Sequence, residues 1–212
     1  MRERIVAIGG GGHCRVLLDI LLNHFAHRFE LAGFVDPDVS LRQMLGISRL
    51  GDDAILPRLL QEGIAGSFIG VGGVANNSLH QRLYHRAAEL GFRMINVIHP
   101  QAIVSTFAQL GNGVQVFPGA IINAGVTLGN NVIINTGAIV EHDCRVGDHV
   151  HIAPVACLGG GVVVEESAFV GMGARVIQQR RVGRDAVVGA GAVVLRDVRA
   201  GETVVGVPAR AI

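Results

Sequence analysis

The sequence predicts two domains of different class, an α/β Rossmann-like domain over residues 1–98 and an all-β parallel β-helix over residues 99–212. Three observations carry this. From residue 104 an aliphatic side chain recurs at every sixth position through sixteen hexads, from Val104, Leu110, Val116 and Ile122 to Val188 and Val194. Four places after fifteen of those sixteen stands Ala, Val or Cys, Arg180 being the exception. The first hundred residues lack this period and instead alternate short apolar runs with segments of helical spacing.

Read cyclically, the small residue lies two places before the next aliphatic. Both then face inward on a short strand and the residue between them faces out. The other three positions must turn. Gly or Asn stands just after the aliphatic in nine hexads, Gly111, Asn123, Gly129, Asn135, Gly147, Gly159, Gly171, Gly183 and Gly189, where we expect a positive φ or a sharp bend. Three strands close one triangular coil, and the segment holds about five coils stacked roughly 4.8 Å apart.

Composition agrees. Aromatic residues make up 4% and Trp is absent, as suits a narrow prism filled by stacked Val, Ile, Leu and Ala, and 30 glycines are available for corners. The mean hydropathy of +0.45 is high, but the apolar residues are dispersed on a period of six. No run approaches the roughly 20 residues that span a bilayer, so a soluble chain without membrane insertion is expected. The opening Met-Arg-Glu-Arg and the apolar stretch after it are too short, and too soon broken by four glycines, for a secretory signal. Three cysteines without C-x-x-C spacing give neither disulfide framework nor zinc knuckle, which suits a reducing cytoplasm. Cys144 reads as an inward core residue. A net charge of +1 offers no general attraction to nucleic acid.

In the first domain Arg4 to Ile8, Glu30 to Val35, Ser67 to Val71 and Met94 to Ile98 read as strands. Helices are expected over about His13 to Leu22, more weakly between Asp53 and Glu62, and from Leu79 to Leu90 with Ser78 as N-cap and Gly91 as stop. Such alternation gives a small parallel sheet that binds ligands at the carboxyl ends of its strands. The loop from Gly9 to Gly12 and His13 joins the first strand to the first helix, where backbone N–H groups and a helix N-terminus suit a diphosphate. Cys14 and Arg15 deny it the third glycine of G-x-G-x-x-G, which disfavours NAD. Asp36 and Asp38 offer acceptors to a ribose or base, and Gly72, Gly73, Asn76 and Asn77 form a comparable loop on the other side of the crevice.

In the β-helix the chemically loaded stretch is Glu141-His142-Asp143, followed by His149 and His151. His142 and Asp143 fall on corner positions and point away from the packed interior. An adjacent carboxylate fixes an imidazole's tautomer and favours its protonation, the arrangement a general base requires.

These pieces together resemble a known family. The Gly9 to His13 loop, Val97-Ile98-His99-Pro100, Ile122-Asn123-Ala124-Gly125, Asn135 through Cys144, His151-Ile152-Ala153-Pro154 and Val205-Gly206-Val207-Pro208-Ala209 are similar to the bacterial sugar acetyltransferases of the sialic-acid O-acetyltransferase and nucleotide-4-amino-sugar N-acetyltransferase type. The resemblance implies a left-handed β-helix, a homotrimer and acetyl-CoA held between neighbouring helices. It implies His142 as base, Asp143 as the acid that raises its basicity, and His151 as a second histidine near the thioester; His151 or a backbone N–H is expected to support the oxyanion. Acetyl-CoA is expected past Met172, Gly173, Gly189 and Ala190, and the nucleotide-sugar at Gly11, Gly12, His13, Asp36 and Gly72. The implied activity is N-acetylation of a UDP- or GDP-4-amino-4,6-dideoxy sugar in the cytoplasm, without a metal. O-acetylation of a sialic-acid type sugar is the alternative.

Two stretches depart from the family pattern. Val155 stands where a glycine is usual, and Gln178-Gln179-Arg180-Arg181 replaces a typical Pro- and Gly-containing turn, which predicts a distorted coil. Arg175, Arg180, Arg181 and Arg184 read either as a cationic patch for CoA phosphates or as a solvated or trimer-contact cluster. Rival functions are a zinc enzyme of the γ-class carbonic anhydrase type, with His142, His149 and His151 as ligands, and a non-catalytic nucleotide-sugar scaffold.

Overall fold

The computed structural model describes residues 2–73 and 77–212. The chain divides into two compact units, Met1–Gly72 with Leu79–Val97 and Gly73–Ser78 with Ile98–Ile212.

The first unit is a sheet with strand order β3-β4-β2-β1-β5-β6, formed by β1 (Glu3–Ile8), β2 (Phe29–Val35), β3 (Gln43–Met44), β4 (Ile47–Gly51), β5 (Gly66–Ile69) and β6 (Arg93–Met94). All neighbours pair in parallel except β3 and β4. Helix α1 (Gly12–His24) follows β1, α2 (Leu56–Gln61) continues a 3-10 turn at Asp53–Ile55, and α3 (Ser78–Leu90) precedes β6. The near-continuous apolar runs of β1 and β5 are buried, as in parallel strands covered on both faces. The expected strand Met94 to Ile98 is two: Arg93–Met94 ends the first sheet, whereas Val97–Ile98 belongs to the β-helix. The β3–β4 hairpin escaped prediction because its turn, Leu45-Gly46, has φ of 48° and 82° and places Leu where turn-forming residues are usual.

The second unit is a parallel β-helix of two-residue strands in three sheets. Strands pair with those one coil on, as Gln115 with Ile133, Ile133 with His151 and His151 with Phe169. The predicted inward residues form one continuous core that includes Val116, Ile134, Ile152, Val170 and Val188, interleaved with Ala120, Ala138, Cys144, Ala156 and Ala174. Side chains also link coils on the outside: Asn130 Oδ1 accepts from Asn112 N at 2.9 Å, and Asp148 Oδ1 from Asn130 N at 2.7 Å.

The expected place of the positive φ is corrected by the structure. It falls three residues after the aliphatic, at Gly113, Gly119, Gly125, Asn131, Gly137, Asp143, His149, Val155, Gly161, Ser167, Gly173, Gln179, Asp185 and Gly191. The glycines just after the aliphatic serve close approach between coils instead. A Cβ on Gly171 would lie 2.6 Å from the Val188 carbonyl oxygen, and one on Gly159 would lie 2.6 Å from Gln178 N.

Candidate functional site

His142 and Asp143 follow the strand Ile139–Val140 and form one corner of the coil. The backbone there is held from both sides, Asp143 N donating to the Ala124 carbonyl at 3.1 Å and Gly161 N to the His142 carbonyl at 2.9 Å. Asp143 has φ 61°, the left-handed conformation that Asp tolerates better than most residues. Its Oδ2 lies 2.9 Å from His142 Nδ1, and the two side chains are 65% and 73% exposed. A carboxylate only accepts, so the proton sits on Nδ1 and the Nε2 lone pair is left for chemistry. Glu141 takes no part in this pair, since its Oε2 accepts from Asn123 Nδ2 at 2.9 Å.

His151 sits differently. It is an outward strand residue but only 6% exposed. Its Nδ1 faces the Gly73 carbonyl at 2.8 Å, which requires an Nδ1–H donor. Its Nε2 lies 3.1 Å from Asn135 Nδ2, and the Asn135 amide is oriented by Thr136 N donating to Oδ1 at 2.8 Å, so Nε2 accepts. The Phe169 ring meets the imidazole edge-on at 5.2 Å. In this arrangement Nδ1–H is donated to a carbonyl and Nε2 accepts from the Asn135 amide. The first contact ties the imidazole to the Gly73 carbonyl. Asn77 belongs to the same arrangement. It is buried and donates to the His149 carbonyl at 3.0 Å, so it does not face a crevice in the first unit as expected. Asn76 lies outside the described residues. His149 is buried, with Nδ1 2.9 Å from Asn131 Nδ2. Among the described residues of the chain no group of three His, Cys, Asp or Glu side chains converges.

The expected acetyl-CoA residues share another corner. Met172 (58% exposed) and Ala190 stack one coil apart, Gly191 N donates to the Met172 carbonyl at 2.8 Å, and Gly173 N to the Pro154 carbonyl at 2.9 Å. Gly189 is fixed by its neighbours, since a Cβ there would lie 2.7 Å from Val205 Cγ1.

In the first unit the expected nucleotide-sugar residues come together at the carboxyl ends of β1, β2 and β5. Asp36 Oδ2 accepts from Gly10 N at 2.7 Å and Oδ1 from Asp38 N at 2.8 Å, so this carboxylate shapes the glycine loop. Gly9, with φ 101°, packs so tightly on Val71 that a Cβ would lie 2.4 Å from Cγ2. Gly11 caps α1 without a side-chain hydrogen bond, no acid stands in the first turn, and the space beside Gly11 and Gly12 is open. His13 lies against Gly72, where a Cβ would come 3.1 Å from Nδ1. An uncapped N-terminus of a 13-residue helix with open glycines is a ready anion seat.

Comparison with known proteins gives this geometry its context. The PglD N-terminal domain family matches residues 4–87. GDP-perosamine N-acetyltransferase of Escherichia coli O157:H7 is 36% identical over 143 residues, 65% of this chain and 64% of that enzyme's length. The structure of PerB from Caulobacter crescentus, in complex with CoA and GDP-perosamine, superposes with a TM-score of 0.91 at 43% identity over 99% of this chain and 97% of that one. The chain belongs to the bacterial sugar acetyltransferase family. The acetyltransferase domain of PglB from Neisseria gonorrhoeae FA1090 is similar over 100% of both chains, with 34% identity and a TM-score of 0.91.

Against the family pattern both departures are resolved. The coil carrying Arg180 is regular: Val163 pairs with Arg181, Arg175 with Val193, and Gln179 has φ 57° as at the other corners. Arg180 escapes the core by turning outward, with Nε 3.4 Å from the Gln178 carbonyl and NH1 3.7 Å from Asp197 Oδ1. Arg181 pairs with Glu165, and its hydrogen bond holds that carboxyl below its usual range. Arg184 lies 3.0 Å from Glu166. Three of the four arginines are thus paired with acids, which favours the surface-cluster reading over a phosphate patch. Val155 adopts φ 59°, a strained conformation for a β-branched residue, with 63% of it exposed.

Burial raises all three thiols above their ordinary range, which disfavours the thiolate. Burial pushes the Cys14 thiol up to about 12 and that of Cys144 up to about 11.

Proposed function

We propose that this protein transfers the acetyl group of acetyl-CoA to the 4-amino group of a nucleotide-linked 4-amino-4,6-dideoxy sugar, a GDP-linked one in the first instance. The observation that carries the reading is the exposed His142 with Nδ1 tied to Asp143 and Nε2 open. The nucleotide preference rests on the two GDP-perosamine enzymes among the relatives.

The amine attacks the thioester carbonyl while His142 Nε2 takes its proton, and Asp143 stabilises the resulting imidazolium. The tetrahedral intermediate expels CoA thiolate, which recovers the proton from the imidazolium, leaving an amide and free CoA. A positioned base contributes about 10²- to 10⁴-fold, and approximation of the two substrates supplies much of the remainder. No covalent enzyme intermediate is needed. The diphosphate is assigned to the uncapped start of α1, between Asp36 and Gly72.

The reading includes a homotrimer. One sheet of the β-helix presents Ile103, Ile121, Ile139, Cys157, Arg175 and Val193 outward, a largely apolar row with Ile103 63% exposed. The corner after this sheet carries His142, and the corner before it carries Met172 and Ala190. Packing such faces around a cyclic axis sets the base of one chain beside the Met172 edge of the next, and closes the cycle without leaving an apolar face open. Sedimentation should give a trimer, and a monomer with full turnover would remove this part. A cytoplasmic site is proposed from the three unpaired cysteines and the nucleotide substrates.

Release of free CoA is to be measured with GDP- and UDP-linked 4-amino sugars, the corresponding 4-hydroxy sugars and a sialic acid. Release with the 4-amino substrates alone is expected. Turnover of hydroxyl acceptors alone would replace N- by O-acetylation, and no turnover with any acceptor would favour the scaffold.

A further inference from the structure

Among the sixteen hexads, the second position after the aliphatic holds glycine once, at Gly160. The corner that carries His142 has Ala124, His142, Gly160 and Gln178 at this position in successive coils, so side chains are tolerated below and above. Gly160 is not among the residues with positive φ, and its backbone suits any L-amino acid. The usual reasons for a glycine are therefore missing.

What fills the place of its side chain is the imidazole of His142. A Cβ on Gly160 would lie 2.6 Å from Nε2, 2.7 Å from Cε1 and 3.3 Å from Cδ2, and these are its three nearest atoms. A contact under about 3 Å forces one partner to move, and a side-chain ring moves more easily than a coil locked by its neighbours. The Asp143 end of the pair has a matching vacancy, since a Cβ on Gly125 in the preceding coil would lie 2.5 Å from Oδ1.

We propose that Gly160 is a positioning residue for the base: the absence of a side chain there is the seat that holds the His142 ring on Asp143 with Nε2 clear. The inference rests on the transferase reading and deepens it. A methyl group at 160 drives the ring off its seat, which lengthens the Nδ1 bond to Asp143 or covers Nε2, while the fold is left alone.

The test is Gly160→Ala in the natural protein and in a His142→Ala background, with kcat, KM for acetyl-CoA and Tm measured for each. With His142 present, kcat is expected to fall about 10²-fold, the scale of a roughly 1 Å misplacement. KM should stay within about 2-fold and Tm unchanged, because only the ring is displaced. In the His142→Ala background, where the seat is empty, the same change should leave the residual rate within about 2-fold. Natural kcat in Gly160→Ala overturns the proposal. So does an equal loss in both backgrounds, which would place the methyl against substrate, or a Tm lowered by several degrees, which would give the glycine to the coil. Should the natural protein show no turnover with any acceptor, the transferase reading fails; should His142→Ala turn over normally, the assignment of His142 as base fails and the seat with it; should His142→Ala be inactive while Gly160→Ala is not, only the seat fails.

Discussion

Two histidine sites on the same β-helix have opposite fates. His142 stands at a bare corner, with one nitrogen on a carboxylate and the other open. His151 stands on a strand face that the periodicity also turns outward, yet it is buried with Nδ1 on Gly73 and Nε2 on Asn135. The repeat decides only that a side chain leaves the core. Whether it then meets solvent or protein is decided by residues outside the repeat, here Gly73 and Asn77.

The contrast is broken most directly at His142. His142→Ala is expected to lose about 10²- to 10⁴-fold in turnover, with Tm unchanged because an exposed ring supports little of the fold. A variant that loses stability instead would erase the difference between the sites. Asp143→Asn keeps the shape but replaces the carboxylate with an amide; a fall in kcat of about 10-fold is expected, measured as CoA release at saturating substrate. The reverse pattern is expected at His151. His151→Ala removes a buried ring and leaves the Gly73 carbonyl and the Asn135 amide without their partner, costing about 2–4 kcal/mol. Urea denaturation measures this, and a change below about 0.5 kcal/mol would show that these contacts are not needed. The smallest expected effect is a gain. Val155→Gly relieves a left-handed β-branched residue and should raise stability by about 1 kcal/mol, a rise of about 2–4 °C in Tm. If Tm falls instead, Val155 packs usefully where no contact accounts for it.

Much of this was readable in advance because the β-helix repeats one decision many times. Sixteen consistent hexads fix which side chains enter the core, and the same period puts His142 and Asp143 on a corner. The conformation within the corner was less legible. Glycine marks two different needs, a positive φ at Gly125 and a close coil at Gly171, and composition does not separate them. The sequence does carry a signal at Gly160, since a glycine found once in sixteen equivalent positions points to a local cause. The burial of His151 and Asn77 was not legible at all, because it depends on a contact between residues 78 positions apart in one case and 72 in the other. In the first unit the glycine loop is legible, whereas nothing in the sequence shows that the Asp36 carboxylate holds Gly10 and Asp38.

The ladder of side chains from Asn112 to Asn130 to Asp148 repeats at a separation of 18 residues. Insertions and deletions in the β-helix are therefore quantised. Excising one full turn, such as residues 163–180, lets each surviving rung find a partner of the right phase, whereas excising a single hexad rotates everything downstream by one face and carries its outward residues to the wrong side of the prism. Evolution can lengthen or shorten this half of the chain only in whole turns, and the spacing between the corner that carries His142 and either end of the prism can change only in the same steps.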